Sequence, residues 1–185
     1  VASALTPALG PERGGTRVTV LSSFFRDAYT LRCRFENASA AVLARYVDDN
    51  QLECSSPVHS LGPKRLMLSM NGQQYDEGNL TFTYQAAAAV SSVSPASALA
   101  EGGTPVTVHG AHFSAASEAL GLLLCRIGST VRRAVGARSA AVVCNTTRSV
   151  AGEVRVEVSN NGREYTCDGV RLQMVYECVV GGRPG

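Results

Sequence analysis

Gly14-Gly15-Thr16-Arg17-Val18-Thr19-Val20 returns 88 residues later as Gly102-Gly103-Thr104-Pro105-Val106-Thr107-Val108. A hydroxyl-proline step precedes each copy at the same displacement, Thr6-Pro7 and Ser94-Pro95. Working outward, Cys33-Arg34 matches Cys125-Arg126 at 92, and Cys54 matches Cys144 at 90. Asn71-Gly72 with Tyr75 matches Asn161-Gly162 with Tyr165 at 90, and 80–84 matches 172–176 at 92. Anchors that keep their order while their offsets drift by a few residues imply tandem homologous domains with small loop insertions. The 185 residues therefore divide into a domain over 1–85, a short linker over 86–89, a second domain over 90–177, and a tail over 178–185. The tail is expected to lead into a further module of a larger protein.

Within each copy the apolar residues alternate with period two, as in a strand with one buried face. Val18 and Val20 alternate with Arg17 and Thr19; Leu66, Leu68 and Met70 with Met67 and Ser69; Val154, Val156 and Val158 with Arg155 and Glu157. Short strands separated by Gly, Pro, Asn and Asp clusters predict an all-β chain of two antiparallel β-sandwiches. Both Asn-Gly pairs follow a strand and precede an apolar run, so each is expected to form a tight two-residue hairpin. The Gly-Gly pairs suit positive φ at the entry to a strand. Four alanines at 86–89 are too few to nucleate a helix and read as a connector.

The charge of +2 is the balance of 17 basic and 15 acidic residues, which does not supply the phosphate neutralisation that nucleic-acid binding needs. Nucleic acid is therefore not an expected partner. No apolar run approaches the ~18 residues that span a bilayer, so membrane insertion by this segment is not expected either. The first ten residues lack a secretory-signal pattern, so these residues are not expected to direct their own export, and a leader removed or lying upstream stays open. The six cysteines, at 33, 54, 125, 144, 167 and 178, form no CxxC pair, and no metal or cofactor is expected. The chain has three glycosylation sequons, at Asn37, Asn79 and Asn145, and Lys64 is its only lysine. With an even cysteine count, these predict the secretory pathway and an extracellular or cell-surface location.

The quoted pieces, together with Cys54-Ser55-Ser56-Pro57, Thr81-Phe82-Thr83-Tyr84, Glu101-Gly102-Gly103-Thr104, Val158-Ser159-Asn160-Asn161-Gly162 and Met174-Val175-Tyr176, form a familiar order. That order resembles the IPT/TIG domain, an immunoglobulin-like (E-set type) fold shared by plexins and certain transcription factors, and the likeness covers nearly the whole chain. It departs from the pattern at Cys144-Asn145-Thr146-Thr147 and at His109-Gly110-Ala111-His112-Phe113. The resemblance implies disulfides Cys33–Cys54 and Cys125–Cys144, each adding about 3 kcal/mol on the chain-entropy account. Cys167 and Cys178 have no counterparts in the first copy. If 170–177 were one strand, their α carbons would stand on the order of 25 Å apart, beyond disulfide reach. Either that strand is shorter, or Cys178 opens onto another module.

Convergent chemistry is sparse. His109 and His112 form an H-x-x-H pair that a strand would point to opposite faces. Asp48-Asp49 and Asp76-Glu77 are adjacent acids that read better as turn residues than as a calcium site or an acid–base pair. No nucleophile elbow, P-loop or HExxH occurs, and no enzyme is expected. Arg126, Arg132, Arg133 and Arg138 are the densest charge, a contact for an anionic glycan or acidic protein, or else a solvated face. The resemblance implies a non-catalytic spacer and protein-interaction segment of a larger glycoprotein, serving adhesion, recognition or extracellular assembly. Its partners would be other proteins or neighbouring modules, with glycan contact as a further expectation. The alternatives are the stalk of a plexin-like or growth-factor-receptor-like signalling receptor, a transcription-factor domain, and an accessory domain of a carbohydrate-active enzyme. The sequons, cysteines and near-neutral charge argue against the transcription factor.

Overall fold

The computed structural model describes residues 2–23, 25–76 and 79–177. The chain divides into two compact units, Val1–Ala87 and Ala88–Gly185. In the first unit the strands are β1 (Ala4–Thr6), β2 (Leu9–Pro11), β3 (Arg17–Leu21), β4 (Arg32–Phe35), β5 (Val42–Asp48), β6 (Gln51–Ser55), β7 (Gly62–Ser69) and β8 (Leu80–Gln85). They form one sheet in the order β1-β3-β6-β5-β4-β7-β8-β2, folded over at β5, which pairs with both β4 and β6.

The second unit holds β9 (Ala89–Ser94), β10 (Ser97–Leu99), β11 (Pro105–Ala111), helix α1 (Ala115–Ala119), β12 (Leu124–Ile127), β13 (Thr130–Arg133), β14 (Val135–Arg138), β15 (Ala141–Asn145), β16 (Gly152–Ser159) and β17 (Arg171–Val175). Here β10-β17-β16-β12-β13 and β14-β15-β11-β9 form two layers. Pairing is antiparallel except for β2 with β8 and β10 with β17, which run parallel.

The period-two reading holds where it was clearest. Val18, Val20, Val106 and Val108 are buried on alternate positions of β3 and β11. It fails at Met70, which lies beyond the end of β7 and is exposed. In the first core Phe35, Phe82 and Tyr84 meet edge to face at centroid separations of 4.9 to 5.9 Å. Such aromatic pairs add to the burial of their area. In the second core Leu172 and Met174 take the places of Phe82 and Tyr84, because Gly62 pairs with Tyr84 as Gly152 pairs with Met174. This register corrects the last sequence anchor: 80–84 corresponds to 170–174, so Tyr176 is not the counterpart of Tyr84.

Each core holds one buried disulfide between its layers, Cys33–Cys54 and Cys125–Cys144, with α carbons 6.3 and 6.0 Å apart. The Gly-Gly pairs adopt φ of 72° and 87° in the first copy and 87° and 82° in the second. They let the chain enter β3 and β11 while Gly15 N–H donates to Ser56 O and Gly103 N–H donates to Thr146 O.

The Asn-Gly pairs do not make two-residue hairpins. β7 and β8 are joined by 70–79, and β16 and β17 by 160–170. Asn71 Oδ1 accepts from the N–H groups of Gln73 and Gln74, and Asn161 Oδ1 from those of Arg163 and Glu164. Each side chain thus organises a wider turn by standing in for backbone acceptors.

The two glycines of a pair differ in what surrounds them. A Cβ on Gly102 would lie 2.5 Å from the Thr147 carbonyl carbon, whereas one on Gly103 meets nothing within 4 Å. Gly103→Ala should cost about 1 kcal/mol from its positive φ alone, and Gly102→Ala about 3 kcal/mol or more. Urea denaturation of the two variants checks this, and equal costs would remove the close approach as a constraint.

Candidate interaction surface

The arginine cluster separates in space. Arg126, on β12, donates through Nε to Glu157 Oε2 at 2.6 Å, and its guanidinium carbon lies 4.2 Å from the centre of the Tyr165 ring. The hydrogen bond to Glu157 stabilises the charged guanidinium further. Burial pushes the Tyr165 phenol above its ordinary range, against the pull of Arg126. In the first copy Arg34 stands over Tyr75 at the same 4.2 Å. The recurring Cys-Arg and Asn-Gly-x-x-Tyr anchors are therefore two ends of one cation–π contact. The repeat displayed both ends without showing that they touch, and Arg126, half-exposed, is already paired with Glu157.

Arg138 ends β14, on the other layer, and pairs across to Ala141. Arg132 and Arg133 stay together on β13, the edge of its sheet. Both are exposed. Beside them an open cleft of about 710 Å³ lies between the layers, with Leu124, Val131, Arg132 and Arg133 on one side and 145–147 on the other.

The three sequon asparagines are exposed. Asn37 sits in the turn after β4 at φ 62°, and Asn79 immediately precedes β8. Asn145 is the last residue of β15 and a wall of the cleft. Its neighbour Thr146 is buried, with its hydroxyl accepting from Thr104 N–H at 3.0 Å. Ser56 does the same for Thr16 N–H at 3.1 Å. The departure from Cys-x-Ser-Pro in the second copy thus keeps the inward hydroxyl and changes the outward residue from Ser55 to Asn145. That shared hydroxyl, two residues after each cysteine, was visible in the sequence; its role was not.

Cys167 is an exposed free thiol, while Cys178 and the rest of 178–185 lie outside the described residues. β17 spans only Arg171–Val175, shorter than the strand over 170–177 considered from sequence. His109 and His112 are both exposed, and His112 is held at φ 61° with its carbonyl accepting from Asn160 Nδ2. Among the described residues no group of three or more His, Cys, Asp or Glu could hold a metal. Asp48 Oδ1 accepts from Asn50 N–H, and Asp76 Oδ1 from Leu68 N–H, so both serve turns. Glu77 lies outside the described residues.

The profile of the family described as "IPT/TIG domain" matches residues 1–84 and 88–181. Human Plexin-A3 is 26% identical over 116 residues, 62% of this chain and 6% of the plexin. Human Fibrocystin-L is 24% identical over 178 residues, 95% of this chain and 4% of that protein. The chain thus spans about a twentieth of the length of these curated relatives. A structure of the full extracellular region of Plexin A4, domains 1 to 10, superposes with a TM-score of 0.54 at 20% identity, covering 95% of this chain and 15% of that one. At that identity the likeness is one of fold. No helix among the described residues is long and apolar enough to cross a membrane.

The Asp48-Asp49 turn makes a pH prediction. Tyr46 OH donates to Asp49 Oδ1, and that hydrogen bond, followed by burial and the nearby acids, pushes the phenol up to about 12. Unfolded tyrosine titrates near 10, so the contribution of this bond is fully present below about pH 10 and is lost as pH rises through the folded value. Urea midpoints measured across that window should fall with pH, and Tyr46→Phe should flatten the fall. An unchanged slope in the variant would refute the assignment.

Proposed function

The chain belongs to the IPT/TIG domain family, and from that premise we propose that it is a non-catalytic extracellular spacer and protein-interaction segment of a larger glycoprotein. The carrying observation is the pairing of one buried inter-layer disulfide in each unit with exposed asparagines at all three sequons. Disulfides persist where the compartment is oxidising, and exposed sequon asparagines are accessible to the machinery of the same compartment. Units of this size also have small cores, so a staple contributes materially to their stability. Among the described residues Asp48 and Asp76 are tied into turns, Asp49 accepts from Tyr46 OH, and His109 and His112 lie on the surface. We assign 1–85 and 90–177 as the interaction-bearing modules, joined by 86–89, with 178–185 leading onward.

A receptor stalk of the plexin kind is a second reading, favoured by the similarity to Plexin-A3 and to the Plexin A4 extracellular region. Both readings place the partner-binding surface on sheet edges and end loops that glycans leave uncovered.

Non-reducing peptide mapping of protein from its native source should recover Cys33 joined to Cys54 and Cys125 to Cys144. Mass spectrometry should find a glycan on at least one of Asn37, Asn79 and Asn145. Reduced cysteines together with three empty sequons would overturn the extracellular assignment, and a bridge between the units would overturn the two-module one.

A further inference from the structure

We propose that the cleft between β13 and the end of β15 seats the first sugars of an oligosaccharide carried by Asn145 itself. This rests on the glycoprotein reading above. Thr146 is buried and bonded to Thr104, so strand alternation turns Asn145 and Thr147 away from the core. Asn145, the spacer residue and the sequon threonine all line the cleft, so the occupant would be tethered at its wall. Tethering makes the docking intramolecular and removes most of the association cost.

The facing wall has the chemistry an N-acetylglucosamine unit would meet. Leu124 and Val131, the latter 43% exposed, offer apolar surface to the acetamido methyl and the ring face. Arg132, at the inward register position opposite Cys125, offers N–H donors to hydroxyl and acetamido oxygens, while Arg133 borders the cleft with its guanidinium beside Gly121. Among the described residues neither arginine takes part in an ion pair. The features also occur together. In the first copy the positions of Arg132 and Arg133, opposite Cys33 and Arg32, are Val42 and Leu43, and that of Asn145 is Ser55. At these positions the sequon and the two arginines occur in the second unit alone, whereas the first unit carries its sequons elsewhere, at Asn37 and Asn79.

Attachment moves the oligosaccharide from a lipid-linked pyrophosphate donor to Asn145 Nδ2. The donor C1–O bond breaks, a C1–N bond forms, the amide loses one proton, and the lipid pyrophosphate departs.

The test uses the secreted, glycosylated chain from a eukaryotic host, treated under native conditions with a peptide N-glycosidase and followed site by site by mass spectrometry. The glycan on Asn145 should be released about tenfold more slowly than that on Asn79, as expected of a docked group that must open first. The double variant Arg132→Ala/Arg133→Ala should bring the two rates together. With carbon-13-labelled sugars, the acetamido methyl on Asn145 should show nuclear Overhauser contacts to the Leu124 and Val131 methyls. An occupied Asn145 lacking those contacts, with release unaffected by the double variant, overturns the seat. So does an empty Asn145 beside an occupied Asn37 or Asn79, an outcome that leaves the glycoprotein reading intact. Three empty sequons remove that reading and the seat with it. Equal binding of a poly-glutamate peptide by the glycosylated chain and by Thr147→Ala would give the arginines to an acidic partner and likewise overturn the seat.

Discussion

Each sandwich is organised by a clasp at the mouth of one strand pair. Gly15 N–H donates to Ser56 O, Ser56 N–H donates to Thr16 O, and Thr16 N–H donates to the Ser56 hydroxyl. Gly103, Thr104 and Thr146 repeat the three bonds in the second unit. Three bonds among three residues fix the register of β3 on β6 and of β11 on β15, placing Val18 opposite Cys54 and Val106 opposite Cys144. A slip of one residue would turn each cysteine to the outer face and put its partner out of reach. The disulfide is therefore downstream of the clasp, and so is the alternation that buries the valines.

That dependence explains which parts of the fold could be read from the residues. Glycine pairs, alternating valines and cysteines are local signals, and they recur twice in order, so the tandem sandwiches were legible. Turn geometry was less so. Asn71-Gly72 and Asn161-Gly162 have the composition of a two-residue hairpin, yet the asparagine side chains hold wider turns by accepting from two N–H groups each. Nothing in the dipeptide distinguishes the two uses. The last anchor slid by two residues because an aromatic match, Tyr84 with Tyr176, outweighed the register in which Met174 replaces a ring with a flexible thioether of similar reach.

The surface was harder to read than the core because it depends on contacts between residues distant in sequence. Arg126 belongs with Glu157 and Tyr165, 31 and 39 positions away, and only the fold brings them together. Four arginines close in sequence thereby became a half-exposed clamp on Glu157 and Tyr165, an adjacent pair and an outlier. The sequons were legible as patterns, but the pattern does not say that Asn145 forms the wall of a cleft while Asn37 stands on a turn.

The cleft itself follows from two side chains. Across β4 and β5, Val42 pairs with Cys33 and packs partly against the first core. The same register in the second unit places Arg132 opposite Cys125, an inward position by alternation. Burying an unpaired guanidinium there would cost far more than the edge gains by closing. Arg132 stays exposed instead, and β13 pairs with β12 alone, leaving the space between the layers unfilled. The first unit spends the same edge on a continuous β5 that joins its layers. One fold thus supports a continuous strand or a divided one at this place, with an apolar side chain at the inward register position in the first unit and a charged one in the second.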